Sequence, residues 1–190
     1  MGQMKEFPPL ETERLTLSAF QPADAEFVLR HFSDPDVCRY LYDAEPYASM
    51  EEAEGLILWY ANADGQDHCR WVLRRNPGGQ PIGTCGFHRL DRENNIAELG
   101  YDLSADHWGR GYMSEALHVA LAHGFNALGL NRVHAFVAVE NAKSCAILER
   151  LGFRCEGVFR EKHLFRGKYY DHFCYSLLKR EWEASTDQQG

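Results

Sequence analysis

The stretch from Leu99 to Phe125, LGYDLSADHWGRGYMSEALHVALAHGF, limits what this chain can fold into more than any other. It opens with the period-two alternation of a half-buried strand, crosses Gly109-Arg110-Gly111, and from Ser114 takes on helical spacing. Leu117, Ala120, Leu121, Phe125 and Leu128 give that helix one apolar stripe, and Gly129 is placed to end it. A strand that turns through glycine straight into a helix exposes the helix's first unpaired N–H groups and the positive end of its dipole. Glycines at such a corner let backbone amides approach an anion, and Arg110 adds a cation. Taken alone, the pair serves a plain turn equally well. The corner is not a dinucleotide fingerprint, because Ser114 stands where a third glycine is required, and no Walker-type Gly-Lys-Ser/Thr follows.

The flanking segments dictate a mixed sheet. RLTLSAF (14–20) alternates as a strand, and QPADAEFVLRHF follows as a helix with Pro22 early and Phe27, Val28 and Phe32 buried. DPDVCRYL makes a further short turn. A helix from Ser49 to about Asn62 opens on the capping-box spacing Ser49 to Glu52. Strands over 69–75, 82–90 and 95–104, parted by the turn formers NPGGQP and DRENN, read as an antiparallel meander. A strand over 132–139, a helix over 141–151 closed by Gly152, a hairpin around RGK and a last helical run KREWEAS complete the order. Meander and strand–helix–strand crossovers together give an α/β (α+β) fold with a mixed sheet. One domain over 1–190 is expected, with its core over about 10–182, no internal repeat, and fraying only in the last few residues.

Composition narrows the function classes. With 45% hydrophobic and 25% charged residues, 190 residues suffice for a well-filled core. The opening MGQMKEFPPLETERL has no apolar run for a signal peptide, and no segment is long and apolar enough to cross a bilayer, so a soluble cytoplasmic protein with no membrane role is expected. A net charge of −8 disfavours nucleic acid as a partner and suits a basic one. The six cysteines are scattered and read as reduced thiols. No metal is expected: Cys85 and His88 fall on opposite faces of a strand, and His118 and His123 diverge around a helix. WVLRR and REKHLFRGK read as solvated faces or as contacts to a phosphate. The aromatics Tyr42, Tyr47, Trp59 and Tyr60 are assigned to the core.

The corner and its neighbours resemble the GNAT superfamily of acetyl-CoA-dependent N-acetyltransferases. DHWGRGYMSEAL is similar to that family's pyrophosphate loop, and NAKSCAILERLGF to its following signature, an asparagine and a helix ending in Leu-Gly-Phe. The opening LETERLTLSAFQPADAEFVLRHF and the closing GKYYDHFCYSLLKREW resemble the branch that acetylates ribosomal-protein N-termini, the Rim type. The match runs over roughly residues 10 to 182.

The resemblance implies a mostly antiparallel, splayed sheet with helices on both faces, in which the strands at 95–104 and 132–139 part to form a V-shaped cleft. Acetyl-CoA would lie there as co-substrate, its pantetheine arm paired to the backbone of Tyr101, Asp102 and Leu103 as an added strand would be. Its pyrophosphate would sit on Gly109, Arg110, Gly111, Tyr112, Met113 and Ser114, and Asn141 would contact the pantetheine arm. Glu98 matches the glutamate that acts as base, and an amide near Tyr101 could polarise the thioester carbonyl. Many relatives carry a tyrosine where this chain has Leu148, which leaves Ser144 as the nearest group to the departing sulfur. Asp106 stands where the loop pattern begins with Arg or Gln. The implied function is direct acetyl transfer to a primary amine, with a protein N-terminal amine as one acceptor. The alternatives are a small-molecule acceptor (polyamine or aminoglycoside-like) and a non-catalytic acyl-CoA-binding module. Some family members form homodimers, and the apolar strand edges at the C-terminal hairpin could pair in the same way.

Overall fold

The computed structural model describes residues 7–61 and 66–186. Asn62, where the sequence reading ended its second helix, and the last four residues, where it placed fraying, lie outside them.

Among the described residues, eight strands form one sheet in the order β1-β2-β3-β4-β5-β6-β8-β7. Strands β1 (Leu10–Glu11), β2 (Leu15–Ser18), β3 (Cys69–Arg75), β4 (Gln80–Asp91) and β5 (Ile96–Leu103) pair antiparallel in sequence order. β6 (Arg132–Ala138) then joins β5 in parallel, and β8 (Lys168–Leu178) slots antiparallel between β6 and β7 (Arg154–Phe165). The meander and the mixed sheet read from the sequence are both present. The β7–β8 turn is Arg166-Gly167, with both residues at positive φ, the twist that a two-residue hairpin turn requires.

Alternation along β3 shows why the sheet carries helices on both faces. Trp71 and Leu73 point into the larger core, with Phe87, Leu117, Leu121 and Phe125, whereas Val72 points into a second core with Phe20, Phe27, Val28 and Ile57. The first face is covered by α4 (Tyr112–Asn126) and α5 (Ala142–Arg150), and α6 (Lys179–Thr186) adds Trp182. The second is covered by α1 (Ala25–Ser33) and α3 (Met50–Tyr60), with α2 (Pro35–Cys38) between them. α4 lies very close to the sheet. A Cβ at Gly124 would come within 2.8 Å of the Phe87 ring, so that position accepts no side chain without displacing a core aromatic.

Local signals hold closely. Ser49 accepts from the Glu52 N–H while Glu52 accepts from Ser49, completing the capping box, and Pro22 begins a short 3-10 turn ahead of α1. α4 starts at Tyr112 rather than Ser114, because Gly111 at φ +80° is already its N-cap. It ends at Asn126, three residues before the left-handed Gly129. α1 departs from its expected buried face. Phe27 and Val28 are buried as read, but His31 is buried and Phe32 only partly so.

Candidate active site

The sheet opens where the sequence reading located a cleft. β5 and β6 pair only at Ile96–Arg132, Ala97–Val133 and Glu98–His134, yet β5 continues to Leu103 and β6 to Ala138. Beyond Glu98 the two strands run without a shared ladder, so one backbone edge of β5 faces the gap. Strand alternation sends Ala97, Leu99 and Tyr101 toward α4 and α5, and Glu98 and Asp102 toward α1 and α3.

Glu98 therefore stands at the vertex of the cleft, on the helical-layer face, 22% exposed. Its Oε2 accepts from Arg89 Nη1 at 2.8 Å and lies 3.8 Å from His134 Nε2 on the other arm. Its cross-strand neighbour His88 is held differently. Burial, then the nearby Arg70 guanidinium, push its pKa down to about 3, so its ring is neutral at neutral pH. Arg70 Nη1 donates to His88 Nε2 at 2.9 Å, which makes that nitrogen the acceptor.

Two contacts reach from the β5 side to the first turn of α5. Tyr101 Oη and Ser144 Oγ are 2.6 Å apart, and Lys143 Nζ sits 4.0 Å from the Trp108 ring centroid. Burial raises the Tyr101 phenol above its ordinary range, so it keeps its proton. Asn141 caps α5: its Oδ1 accepts from the Ser144 N–H at 3.2 Å, which turns its Nδ2 hydrogens away from the helix. Leu148 is fully buried in the larger core, so no side chain at that position faces the cleft. Cys145 keeps its proton, because burial raises its thiol.

At the corner, Gly109 has φ +72° and Gly111 φ +80°, and no side chain caps α4. The first N–H to find an i−4 partner is that of Glu115, to Gly111 O at 3.1 Å, so those of Tyr112, Met113 and Ser114 lead the helix without one. Met113 is buried, which leaves only its backbone for a ligand, while Gly109, Arg110 and Gly111 are exposed. His107 Nδ1, in the turn just before, is buried without a partner. Open amides and a cation fit a phosphate group. The Leu103 carbonyl accepts from Trp108 Nε1 at 2.7 Å, so the loop is tied back to the end of β5.

The other side of the sheet carries a polar network that sequence reasoning missed. The backbone of Asp102 lies on the cleft strand as expected, but its side chain is buried against α1. One oxygen meets His31 Nε2 at 2.6 Å, Arg70 pairs with the other, and the Thr84 hydroxyl lies 2.9 Å from both. His31 Nδ1 continues to Ser104 Oγ at 2.9 Å. Burial works against ionisation of Asp102, yet Arg70 and His31 outweigh it and hold the carboxyl at about 2. Arg70 and Asp102 also line a cavity of about 260 Å³, whose walls include Phe32, Tyr47, Trp59 and Tyr60 and the exposed Asp43 and Glu45. Of the aromatics assigned to the core, Tyr60 is buried, Trp59 is 55% exposed, and Tyr42 stacks on Tyr170 with centroids 3.8 Å apart. The one hint of the network in the sequence was a histidine on the apolar stripe of the first helix.

A family model described as an acetyltransferase (GNAT) domain matches residues 14–154. The chain belongs to the GNAT acetyltransferase family. It is 38% identical over 175 residues to "Uncharacterized N-acetyltransferase p20" of Bacillus licheniformis, covering 91% of this chain and 97% of that protein. It is 33% identical to "Putative ribosomal N-acetyltransferase YdaF" of Bacillus subtilis (strain 168), covering 90% and 95%. Among solved structures, the spermidine N-acetyltransferase from Vibrio cholerae in complex with CoA and spermine superimposes with a TM-score of 0.80 at 26% identity, covering 90% of this chain and 99% of that one. The splayed sheet is thus that of a GNAT N-acetyltransferase, a family that uses acetyl-CoA. No helix among the described residues is long and apolar enough to cross a membrane.

Proposed function

We propose that this GNAT enzyme acetylates the terminal amine of a polypeptide, with Glu98 as base and the glycine corner as the seat of the acetyl-CoA pyrophosphate. The observation that carries this reading is the end of the β5–β6 ladder at Glu98 and His134, which leaves a carboxylate at the mouth of an open strand edge. The 33% identical relative named for ribosomal N-acetylation supports the choice of acceptor.

When bound, acetyl-CoA supplies an activated acetyl thioester. The leading amides of α4 hold its phosphates, and the turned-out amide of Asn141 meets its pantetheine arm. An amine near its ordinary pKa is protonated at neutral pH, so attack requires a base, and Glu98 takes the proton directly or through a water. The β5 backbone near Tyr101 offers an N–H to the carbonyl oxygen. Ser144, backed by the Tyr101 phenol at 2.6 Å, donates a hydrogen bond to the departing sulfur.

A second acceptor has a specific observation in its favour. The 260 Å³ cavity brings Asp43, Glu45 and Asp102 together with Tyr47 and Trp59; Arg166 pairs with Glu45 and Arg70 with Asp102, and the exposed Asp43 beside the aromatics suits a slender organic cation such as a polyamine. Thiol release from acetyl-CoA, followed with panels of N-terminal peptides, polyamines and aminoglycosides, separates the two. Turnover with peptides alone supports the first reading. Turnover with polyamines alone replaces it with the second. CoA binding without turnover on any panel would favour a binding module.

A further inference from the structure

Beside the glycine corner, outside every segment assigned to the cofactor, one side chain touches the loop from below. Arg14 precedes β2, and its Nη1 donates to the Arg110 carbonyl at 2.9 Å. Its guanidinium carbon lies 4.7 Å from the Tyr112 ring centroid, and its Nε and Nη2 each reach Glu115 Oε2 at 2.6 Å. The Arg14 backbone N–H and the Thr12 hydroxyl donate to the other Glu115 oxygen at 2.9 and 2.6 Å. These contacts span about a hundred residues of chain and meet at the first turn of α4.

We infer that Arg14 is a positioning residue for donor binding, setting the direction of the loop amides and cancelling a charge that would repel the ligand. Two physical arguments carry this. First, a trans peptide points its carbonyl and the following N–H to opposite sides, so pinning the Arg110 carbonyl on Arg14 turns the Gly111 N–H away, toward the open side of the loop. A Cβ at Gly111 would lie 3.3 Å from Arg14 Nη2, so guanidinium and glycine share one space. Second, Glu115 puts a carboxylate in the first turn of the helix whose amides must accept a phosphate. Burial raises its pKa, but the hydrogen bonds from Thr12 and Arg14 hold it below the usual carboxylate range, so it stays ionised. An unpaired anion there would oppose a second one, and the Arg14 fork neutralises it in place.

The inference rests on the acetyl-CoA reading of the corner, and its test separates the two. Arg14→Ala is assayed with acetyl-CoA and with S-acetyl-pantetheine, a thioester that lacks the pyrophosphate. The expected result is a rise of roughly tenfold in KM for acetyl-CoA, the size of one lost charge-assisted contact, with kcat and the use of the truncated donor unchanged. Arg14→Lys keeps the charge without the fork and should fall between. Glu115→Gln introduced into Arg14→Ala removes the exposed carboxylate and should recover part of the loss. Equal losses with both donors would assign Arg14 to the fold alone, and an unchanged KM for acetyl-CoA would overturn the inference. If calorimetry finds no CoA binding to the unaltered protein, the reading of the corner falls first.

Discussion

The two sides of β5 are built on opposite principles. The cleft side is mostly backbone: glycines at positive φ, leading amides of α4 and an unpaired strand edge from a run of about fifteen residues in sequence, joined by the side chains of Asn141 and Ser144 from α5. The α1 side consists of side chains: His31, Arg70, Thr84 and Asp102 come from four separate elements and meet only when the sheet and the helical layer close. Under the proposed function, the backbone side would recognise what every acetyl-CoA shares, and the side-chain side would be where acceptors are told apart. Within one family the first can stay constant while the second changes.

The largest expected effect lies where the two sides meet. Glu98→Gln should lower kcat by about 10²- to 10⁴-fold, the usual contribution of a positioned base, and reshape the pH–rate profile while leaving CoA affinity intact. An unaltered profile would move the base to a water chain or to the substrate. His88, neutral above pH about 3, should contribute no ionisation to that profile near neutrality.

Next is the buried network. Asp102→Asn leaves the Arg70 guanidinium, 12% exposed, without its counter-charge, and should cost about 3–5 kcal/mol in urea unfolding. The pH dependence follows from the lowered pKa. Asp102 contributes stability above its unfolded value of about 3.9, and that contribution is lost as pH falls from there toward 2. A variant equally stable at pH 7 would show that the pair only breaks even against its desolvation.

Gly111→Ala probes the backbone side with a smaller effect. A side chain at φ +80° costs about 1–2 kcal/mol and presses on Arg14, so KM for acetyl-CoA should rise with little change in the acceptor KM. The smallest effect belongs to Tyr101→Phe, which removes one hydroxyl behind Ser144. A decrease of about tenfold or less in kcat is expected, read against Ser144→Ala in a double-mutant cycle, where coupling below about 0.5 kcal/mol would dismiss the pair.

Much of the donor side could be read in advance. The glycine pair, the capping box at Ser49 and the meander depend on residues within a few positions of one another, where φ preference and hydrogen-bond spacing act directly, whereas Asn141, read as a helical residue, emerges as the N-cap of α5 only in the structure. Arg14 was read only as part of an alternating strand, because its partners lie about a hundred residues away. Residue type assigns Tyr42, Tyr47, Trp59 and Tyr60 to the core; Tyr60 is buried in it and Tyr47 packs against it, but Trp59 is 55% exposed and Tyr42 stacks on Tyr170 at the far hairpin.

The sequence by itself determined the strands, the helices, the mixed sheet and the corner with its free amides, because hydrogen-bond pairing and backbone sterics act between near neighbours. Only the tertiary structure decided that Asp102 turns into a buried network, that Arg14 braces the corner, and that Glu98 stands at the vertex of the cleft. Those outcomes depend on register and face, which are fixed when distant elements pack and every buried charge must find its partner.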